Sequence, residues 1–298
     1  MTNVIQLPKL YHPDFALPNV KPKRPVEIDW DNPLTKGLVG CWLVSDGPKN
    51  PQNLASGSVI GNGTSLYGEQ RADHWHSAIA VNGNDLLGHE DLPISGSGND
   101  KEVPASTILS ICAPESVGSF YGTLGCSREC NSEAGTGAGF SRGLAIYMQG
   151  AAPYDVDVMT AYEAVYTGSK RIDSIVDGAK LIITATNAFD AGDGYPNCEL
   201  IINGQVATLP ADDFWRYGAG VSTNTLYDND RGYWTGNLYC YAVWDREMSL
   251  EQLARLNADP YQILKPAIPL TYFVPAAAAA GGNEPLFYHH QRMLSRCS

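Results

Sequence analysis

Apolar residues recur along this chain mostly with period two, in short runs punctuated by Gly, Pro, Asn and Asp, which predicts a succession of β-strands. The clearest run is the last. Leu238, Cys240, Ala242 and Trp244 alternate with Tyr239, Tyr241 and Val243, so the two sets point to opposite faces, and both faces are apolar enough to be covered. Upstream, residues 32–44 read as a buried strand, 58–63 and 77–84 as weaker ones, and 105–112 as a strand whose expected partner across a loop is 119–126. Residues 143–149 and 156–166 carry further strands, with Asp155 and Asp157 sharing a face opposite Val156 and Val158. Residues 180–186 and 199–207 are strongly apolar. In the second, Asn203-Gly204 signals a two-residue hairpin, because both residues tolerate positive φ.

The period changes once, after Asp245. Ser249 can cap a helix that opens with Glu251 and Gln252 and places Leu250, Leu253, Ala254 and Leu256 at helical spacing. Asp259-Pro260 ends it, since proline lacks the amide that continuation needs. At the other end, Pro8, Pro13, Pro18, Pro22, Pro25 and Pro33 keep residues 1–33 extended. Leu7, Leu10, Tyr11, Phe15, Leu17 and Val20 give this arm apolar anchors. It either docks on a neighbouring subunit or its own body, or stays a disordered tail. Residues 34–275 form the body. Residues 276–298 are an Ala/Gly linker and a tail with Phe287, Tyr288, His289, His290, Arg292 and Arg296.

Thirty glycines, 19 prolines, 16 tyrosines and 6 tryptophans suit many short strands better than a helical fold. A net charge of −12 repels phosphate backbones, so nucleic acid is not an expected partner. No run is long and apolar enough for a membrane span, and the first residues lack a secretion signal's basic and apolar regions. Seven scattered cysteines, several inside strand-like runs, suit synthesis in a reducing cytoplasm.

Candidate chemistry is sparse. Glu27-Ile-Asp-Trp-Asp31 looks like the E-x-D-x-E signature of retaining β-glucanases, whose two carboxyls must stand ~5 Å apart. Its third position is Asp31 in place of Glu, and the stretch precedes the first core strand, so catalysis is not read from it. His74 and His76 share a strand face but lack a third metal ligand, and Cys126 with Cys130 makes half a zinc site. No metal is expected there. Acidic loops around Asp190 and Asp193, and around Asp228 and Asp230, hold some of the oxygens calcium wants without a complete ligand string. No cofactor is expected beyond that one candidate cation.

Four stretches together resemble one family. Asn32-Pro-Leu-Thr-Lys-Gly-Leu-Val-Gly-Cys-Trp42 is similar to the opening strand of laminin-G-like domains in tailed-phage structural proteins. Leu181-Ile-Ile-Thr-Ala-Thr186 followed by Glu199-Leu-Ile-Ile-Asn-Gly204 resembles the paired strands around that fold's hairpin. Residues 232–259 resemble the closing segment of the concanavalin A-like, laminin-G-like jelly roll, and Asp259-Pro-Tyr-Gln-Ile-Leu-Lys-Pro266 the end of its phage version. The resemblance implies an all-β, two-sheet antiparallel jelly-roll sandwich with one short C-terminal helix and extended N- and C-terminal arms. It also implies that the first and last strands are neighbours, so that Trp42 and Trp244 share one core.

For function, the resemblance implies a bacteriophage virion structural protein, assembled in the host bacterial cytoplasm. A tail or baseplate component is favoured over capsid decoration, and the arms grip other virion proteins. A homo-oligomer is expected and an enzyme is not, with a glycan-cleaving enzyme of the same fold as the rival. Tyr and Trp can stack on sugar rings while carboxylates accept hydroxyl hydrogen bonds, so host-surface glycan is the expected ligand. The loop residues suited to it are Tyr67, Tyr195, Trp215, Tyr217, Tyr227, Asp190, Asp193, Asp228 and Asp230.

Overall fold

A computed structural model of the chain describes residues 20–22, 25–43, 53–56, 70–73, 76–82, 105–117, 121–127, 143–149, 153–162, 165–176, 178–188, 198–207, 209–210 and 234–267. These residues form an antiparallel, two-sheet jelly-roll sandwich with one helix. In chain order the first strands are β1 (Val26–Ile28), β2 (Leu38–Leu43), β3 (Gln70–Asp73), β4 (His76–Asn82) and the long β5 (Ser106–Val117). Then come β6 (Tyr121–Cys126), β7 (Gly143–Gln149), β8 (Tyr154–Tyr162), β9 (Val165–Ile175) and β10 (Leu181–Asn187). After them stand β11 (Cys198–Ile202), β12 (Gln205–Val206), β13 (Leu209–Pro210), β14 (Trp234–Trp244), α1 (Leu250–Ala258) and β15 (Leu264–Pro266).

One sheet has the order β12-β11-β10-β5-β14-β4-β3, with β2 joined to the second half of β14; the other has the order β13-β9-β8-β7-β6. Between them Trp42, Ile108, Leu124, Ile146, Val158, Ile183, Leu200 and Val243 fill one core. A second core lies on the far face of the larger sheet, where Leu109, Ile111, Ala242 and Trp244 meet Leu253 and Leu256 of α1, Ile28 of β1 and Leu264 of β15. β10, residues 106–114 of β5 and residues 236–244 of β14 are therefore buried on both faces, which is why they read as largely apolar runs.

Two expected pairings are corrected. β6 does not pair with β5, because β10 and β14 occupy both edges of β5; β6 belongs to the other sheet, and Ser110 Oγ donates across the interior to Leu124 O at 2.9 Å. Trp42 and Trp244 do sit on paired strands but not in one core. Trp42 lies opposite Tyr241 and stacks on it with ring centroids 5.7 Å apart, and Trp244, three residues on, points to the other face.

The face assignment of β14 is corrected by a bulge. Leu238 lies opposite Cys112 and Cys240 opposite Ile111, so Tyr239 is an extra residue that shifts the alternation. Leu238 consequently shares the inner face with Tyr241 and Val243, while Tyr239 joins Cys240, Ala242 and Trp244 on the outer one.

The motifs at the two ends of the fold interlock. Asn32 caps the short 3-10 turn Pro33–Thr35, its Oδ1 accepting from Leu34 N at 3.0 Å, and its Nδ2 donates to Gln262 O at 2.7 Å. Trp244 Nε1 donates to Leu34 O at 2.8 Å, Asp245 N to Gly37 O at 2.9 Å and Arg246 Nε to Lys36 O at 2.6 Å. The stretch read as an arm thus contributes β1, which pairs with β15. α1 carries the Ser249 cap expected of it, Gln252 N on Ser249 Oγ, and the structure adds the reciprocal bond of Ser249 N to Gln252 Oε1. It rests on Leu253, Leu256 and Asn257, while Leu250 and Ala254 face solvent.

Candidate functional site

All nine loop residues suited to glycan (Tyr67, Asp190, Asp193, Tyr195, Trp215, Tyr217, Tyr227, Asp228 and Asp230) lie outside the described residues, as do His74 and Cys130. Their roots are described. The segment with Asp190, Asp193 and Tyr195 leaves β10 after Asn187, which pairs with Ser106; the segment with Trp215 to Asp230 enters β14 at Trp234, which pairs with Val117. Ser106 and Val117 are the two ends of β5, about 35 Å apart at the rise of a strand. The second segment leaves the described residues at Pro210, opposite Lys170 of β9, so only its return to β14 is tied to the Val117 end.

The Ser106 end is tied together by buried polar groups. Ser106 Oγ hydrogen-bonds Ser127 Oγ at 2.8 Å and Asn187 Oδ1 at 2.7 Å, and Ser127 Oγ accepts from Leu144 N at 3.0 Å. Ser106, Ser127 and Asn187 each flank a segment outside the described residues, so one network sets the roots of three connections.

Glu27, Asp29 and Asp31 are not placed for glycosidic chemistry. β1 holds Glu27 opposite Lys265, whose Nζ stands 3.5 Å from Glu27 Oε1 and 3.9 Å from Asp29 Oδ1 on the outside of the second core. Among the described residues no three metal-ligating side chains come together.

The buried thiols are chemically quiet. Burial pushes Cys112 up from 9.0 to about 12, and a hydrogen bond with Cys240, then burial, raises Cys41 well above its ordinary value. A raised folded value favours the protonated form, so this stability is fully present below pH 9 and is lost as pH rises towards 12. At about pH 10.5 the loss from Cys112 is expected to be on the order of 2 kcal/mol. Urea midpoints should fall over that range for the native chain and fall less for Cys112→Ala.

What remains is a sheet face. The middle strands of the larger sheet are covered on both sides, whereas no described helix or ribbon lies on the outer face of the five-stranded sheet. Register sets Thr123 opposite Tyr147, Tyr147 opposite Asp157 and Asp157 opposite Arg171. Ile146, Met148, Val156, Val158 and Ile172, the chain neighbours of this row, are buried in the inner core, so the row belongs to the outer face. Gln149 and Asp155 pair in the adjacent row. One aromatic position, two carboxylate positions and one guanidinium position thus fall together on a surface whose backbone is fixed by ladder hydrogen bonds. Reading along the sequence finds Asp155 and Asp157 as face-mates but misses Tyr147 and Arg171. β9 holds the polar run Tyr-Thr-Gly-Ser-Lys-Arg, and the apolar pattern does not set it apart as a strand.

No protein-family model and no curated protein matches the chain. Solved structures do. A sialidase of Trypanosoma rangeli in complex with sialic acid is 11% identical, with a TM-score of 0.46, over 77% of this chain and 34% of its own. The CBM40 of a Ruminococcus gnavus IT-sialidase bound to α2,3-sialyllactose is 14% identical with a TM-score of 0.35, over 66% of this chain and 100% of its own. The botulinum neurotoxin type G receptor binding domain is 12% identical with a TM-score of 0.38, over 74% and 51%. This chain spans about a third of the length of the sialidase it matches. With sialidases and a leech trans-sialidase among the neighbours, the expectation that the chain is not an enzyme is corrected and that exclusion is withdrawn.

Proposed function

We propose that this chain is a lectin-like structural protein of a tailed-phage virion, a tail or baseplate component, and that the outer face of its five-stranded sheet contacts host-surface glycan. The observation that carries the glycan reading is the register row Thr123, Tyr147, Asp157 and Arg171 on a sheet face that no described element covers. A phenol ring suits the apolar face of a pyranose, and carboxylate and guanidinium groups suit its hydroxyls from either side. The virion reading is supported by the motifs at the two ends of the fold: the residues that resemble the phage family are the ones that lock together, from Asn32 and Leu34 to Trp244 and Gln262. Mass spectrometry of purified particles tests the location, and absence of the chain from them overturns it.

The glycan reading is tested on an array with the purified full chain. Tyr147→Ala and Asp157→Asn should each weaken binding at least tenfold while leaving the thermal midpoint within a few degrees. Asp190→Asn with Asp193→Asn, and Asp228→Asn with Asp230→Asn, report on the two loop groups. Binding lost only through either loop pair moves the contact to that loop, and no binding to any glycan removes the reading.

A further inference from the structure

Two buried thiols, Cys41 on β2 and Cys240 on β14, hydrogen-bond each other in the second core. In chain order they join the first strand of the larger sheet to its last. Both stand on fixed backbone. Cys41 N donates to Asn53 Oδ1 at 2.9 Å and Leu54 N to Cys41 O at 2.8 Å, while Cys240 is flanked by Leu43 of β2 and Ile111 of β5.

Register decides what link this pair can make. Cys41 lies opposite Ala242 and Cys240 opposite Leu43, so the two cysteines are diagonal and not directly opposed. Diagonal positions stand about 7–8 Å apart, beyond the roughly 4.4–6.8 Å between Cα atoms that a disulfide tolerates. A disulfide would need the ladder to shift. Two metal–thiolate bonds of about 2.3 Å laid end to end reach about 4.6 Å, a little more than the separation of sulfurs in hydrogen-bond contact, so an ion between them needs only a small side-chain adjustment.

The number of donors then decides which ion. Among the described residues no third His, Cys, Asp or Glu joins the pair. Structural zinc and iron–sulfur clusters ask for four ligands, and calcium for six or more oxygens. A site of two soft thiolates alone suits copper(I).

Tyr261, in the 3-10 turn Pro260–Ile263, supplies an independent observation. Its side chain is 3% exposed, and its Oη is buried without a hydrogen-bond partner. Burial raises the phenol well above its ordinary value, and of the titratable groups around it Cys240 acts on it most strongly. The phenol therefore keeps its proton and lacks an acceptor. A thiol sulfur accepts weakly, whereas a metal-bound thiolate accepts strongly.

We propose that Cys41 and Cys240 form a two-thiolate site for a soft monovalent ion of the copper(I) class, with Tyr261 Oη donating to the Cys240 sulfur. Each thiol gives up its proton to solvent as its sulfur–metal bond forms, and no electron moves, because the copper enters already reduced. The ion ties the opening strand of the sheet to the closing one, so its binding stabilises the fold. The closure that keeps both thiols quiet as nucleophiles also means that the ion enters while the chain folds. This inference stands apart from the glycan reading, since it uses neither the five-stranded sheet nor a sugar.

The test refolds the full chain from urea with copper(I) under argon and reductant, strips loosely held copper with a competing copper(I) chelator, and counts the ions retained by native mass spectrometry. The native chain is expected to retain one ion more than Cys41→Ala or Cys240→Ala. Cys112→Ala, whose sulfur lies in the other core, should retain as many as the native chain. Copper should raise the thermal midpoint of the native chain by about 5 °C or more and leave that of either variant unmoved, a comparison that holds even where the alanine itself lowers the midpoint. Tyr261→Phe should hold the ion about tenfold more weakly. Equal retention by the native chain and either cysteine variant, or a native midpoint indifferent to copper, overturns the site, and unchanged affinity in Tyr261→Phe overturns the part given to the phenol.

Discussion

Asn257→Ala is expected to lower the unfolding free energy by about 3–5 kcal/mol, with the urea midpoint falling and the slope unchanged. The side chain lies on the inner face of α1, 2% exposed, where an apolar residue would be the usual choice. Its Nδ2 donates to Ile182 O at 2.7 Å and Ile201 O at 3.1 Å, and its Oδ1 accepts from Gly204 N at 2.7 Å. One amide thereby satisfies backbone groups of β10, β11 and the turn that leads into β12, and it fixes where the helix sits along them. Asn203 grips the same place from below, its Oδ1 accepting from Ile182 N at 2.8 Å and its Nδ2 donating to Lys180 O at 3.0 Å. Alanine would leave Ile201 O under the helix without this partner, while Ile182 O would keep only Asn203 N and Gly204 N would turn to solvent. Asn257→Leu separates packing from hydrogen bonding, because it restores the volume and none of the bonds. Should the leucine variant match the native midpoint, the amide is dispensable and packing alone seats the helix.

The parts of this fold that can be read along the chain are those where local pattern and tertiary demand coincide. β10 is buried at every position from Leu181 to Asn187, and its apolar run announces it. The Asn203-Gly204 turn is equally plain, and both residues adopt positive φ, 49° and 83°. α1 announces itself through Ser249 and Gln252. What cannot be read is what depends on partners distant in sequence. β9 is the clearest case, since Ile172 enters the inner core and Ile175 packs against it while residues 166–171 carry the polar pattern of a loop. The bulge at Tyr239 is invisible for the same reason. An extra residue in β14 shows only once Cys112 and Ile111 are found on either side of it, and it moves Leu238 to the opposite face from Cys240. The row that includes Tyr147, Asp157 and Arg171 comes from β7, β8 and β9, and no spacing within any of them brings the three together. Loop aromatics and acids, by contrast, stand out by composition, yet they lie on separate segments, one leaving β10 after Asn187 and the other running from Pro210 to Trp234.

Gly236→Ala is expected to be as damaging as the loss of the Asn257 amide, by a different route. Gly236 holds φ at +148°, where an L side chain is strained, and it does so at a second irregularity in β14, between Thr235 opposite Ser116 and Gly236 opposite Pro114. A methyl group built on it runs into the carbonyl oxygen of Ala113 and stands 2.8 Å from Pro114 Cα. Both obstacles are backbone of β5, the central strand, just beyond the stretch that pairs with β10, where Pro114 O accepts from Gly178 N at 2.7 Å. Strain and overlap together are expected to cost about 4 kcal/mol, at the upper end of single substitutions. Gly204→Ala provides the comparison. It also has positive φ, +83°, but nothing lies within 4 Å of the added methyl, so its cost should stay near the 1–2 kcal/mol of the conformational term alone. Measured in the same denaturant series, the gap between the two variants isolates the close approach of β14 to β5. Equal midpoints for the two alanine variants would mean that β5 yields, and that the glycine is there only for its backbone angle.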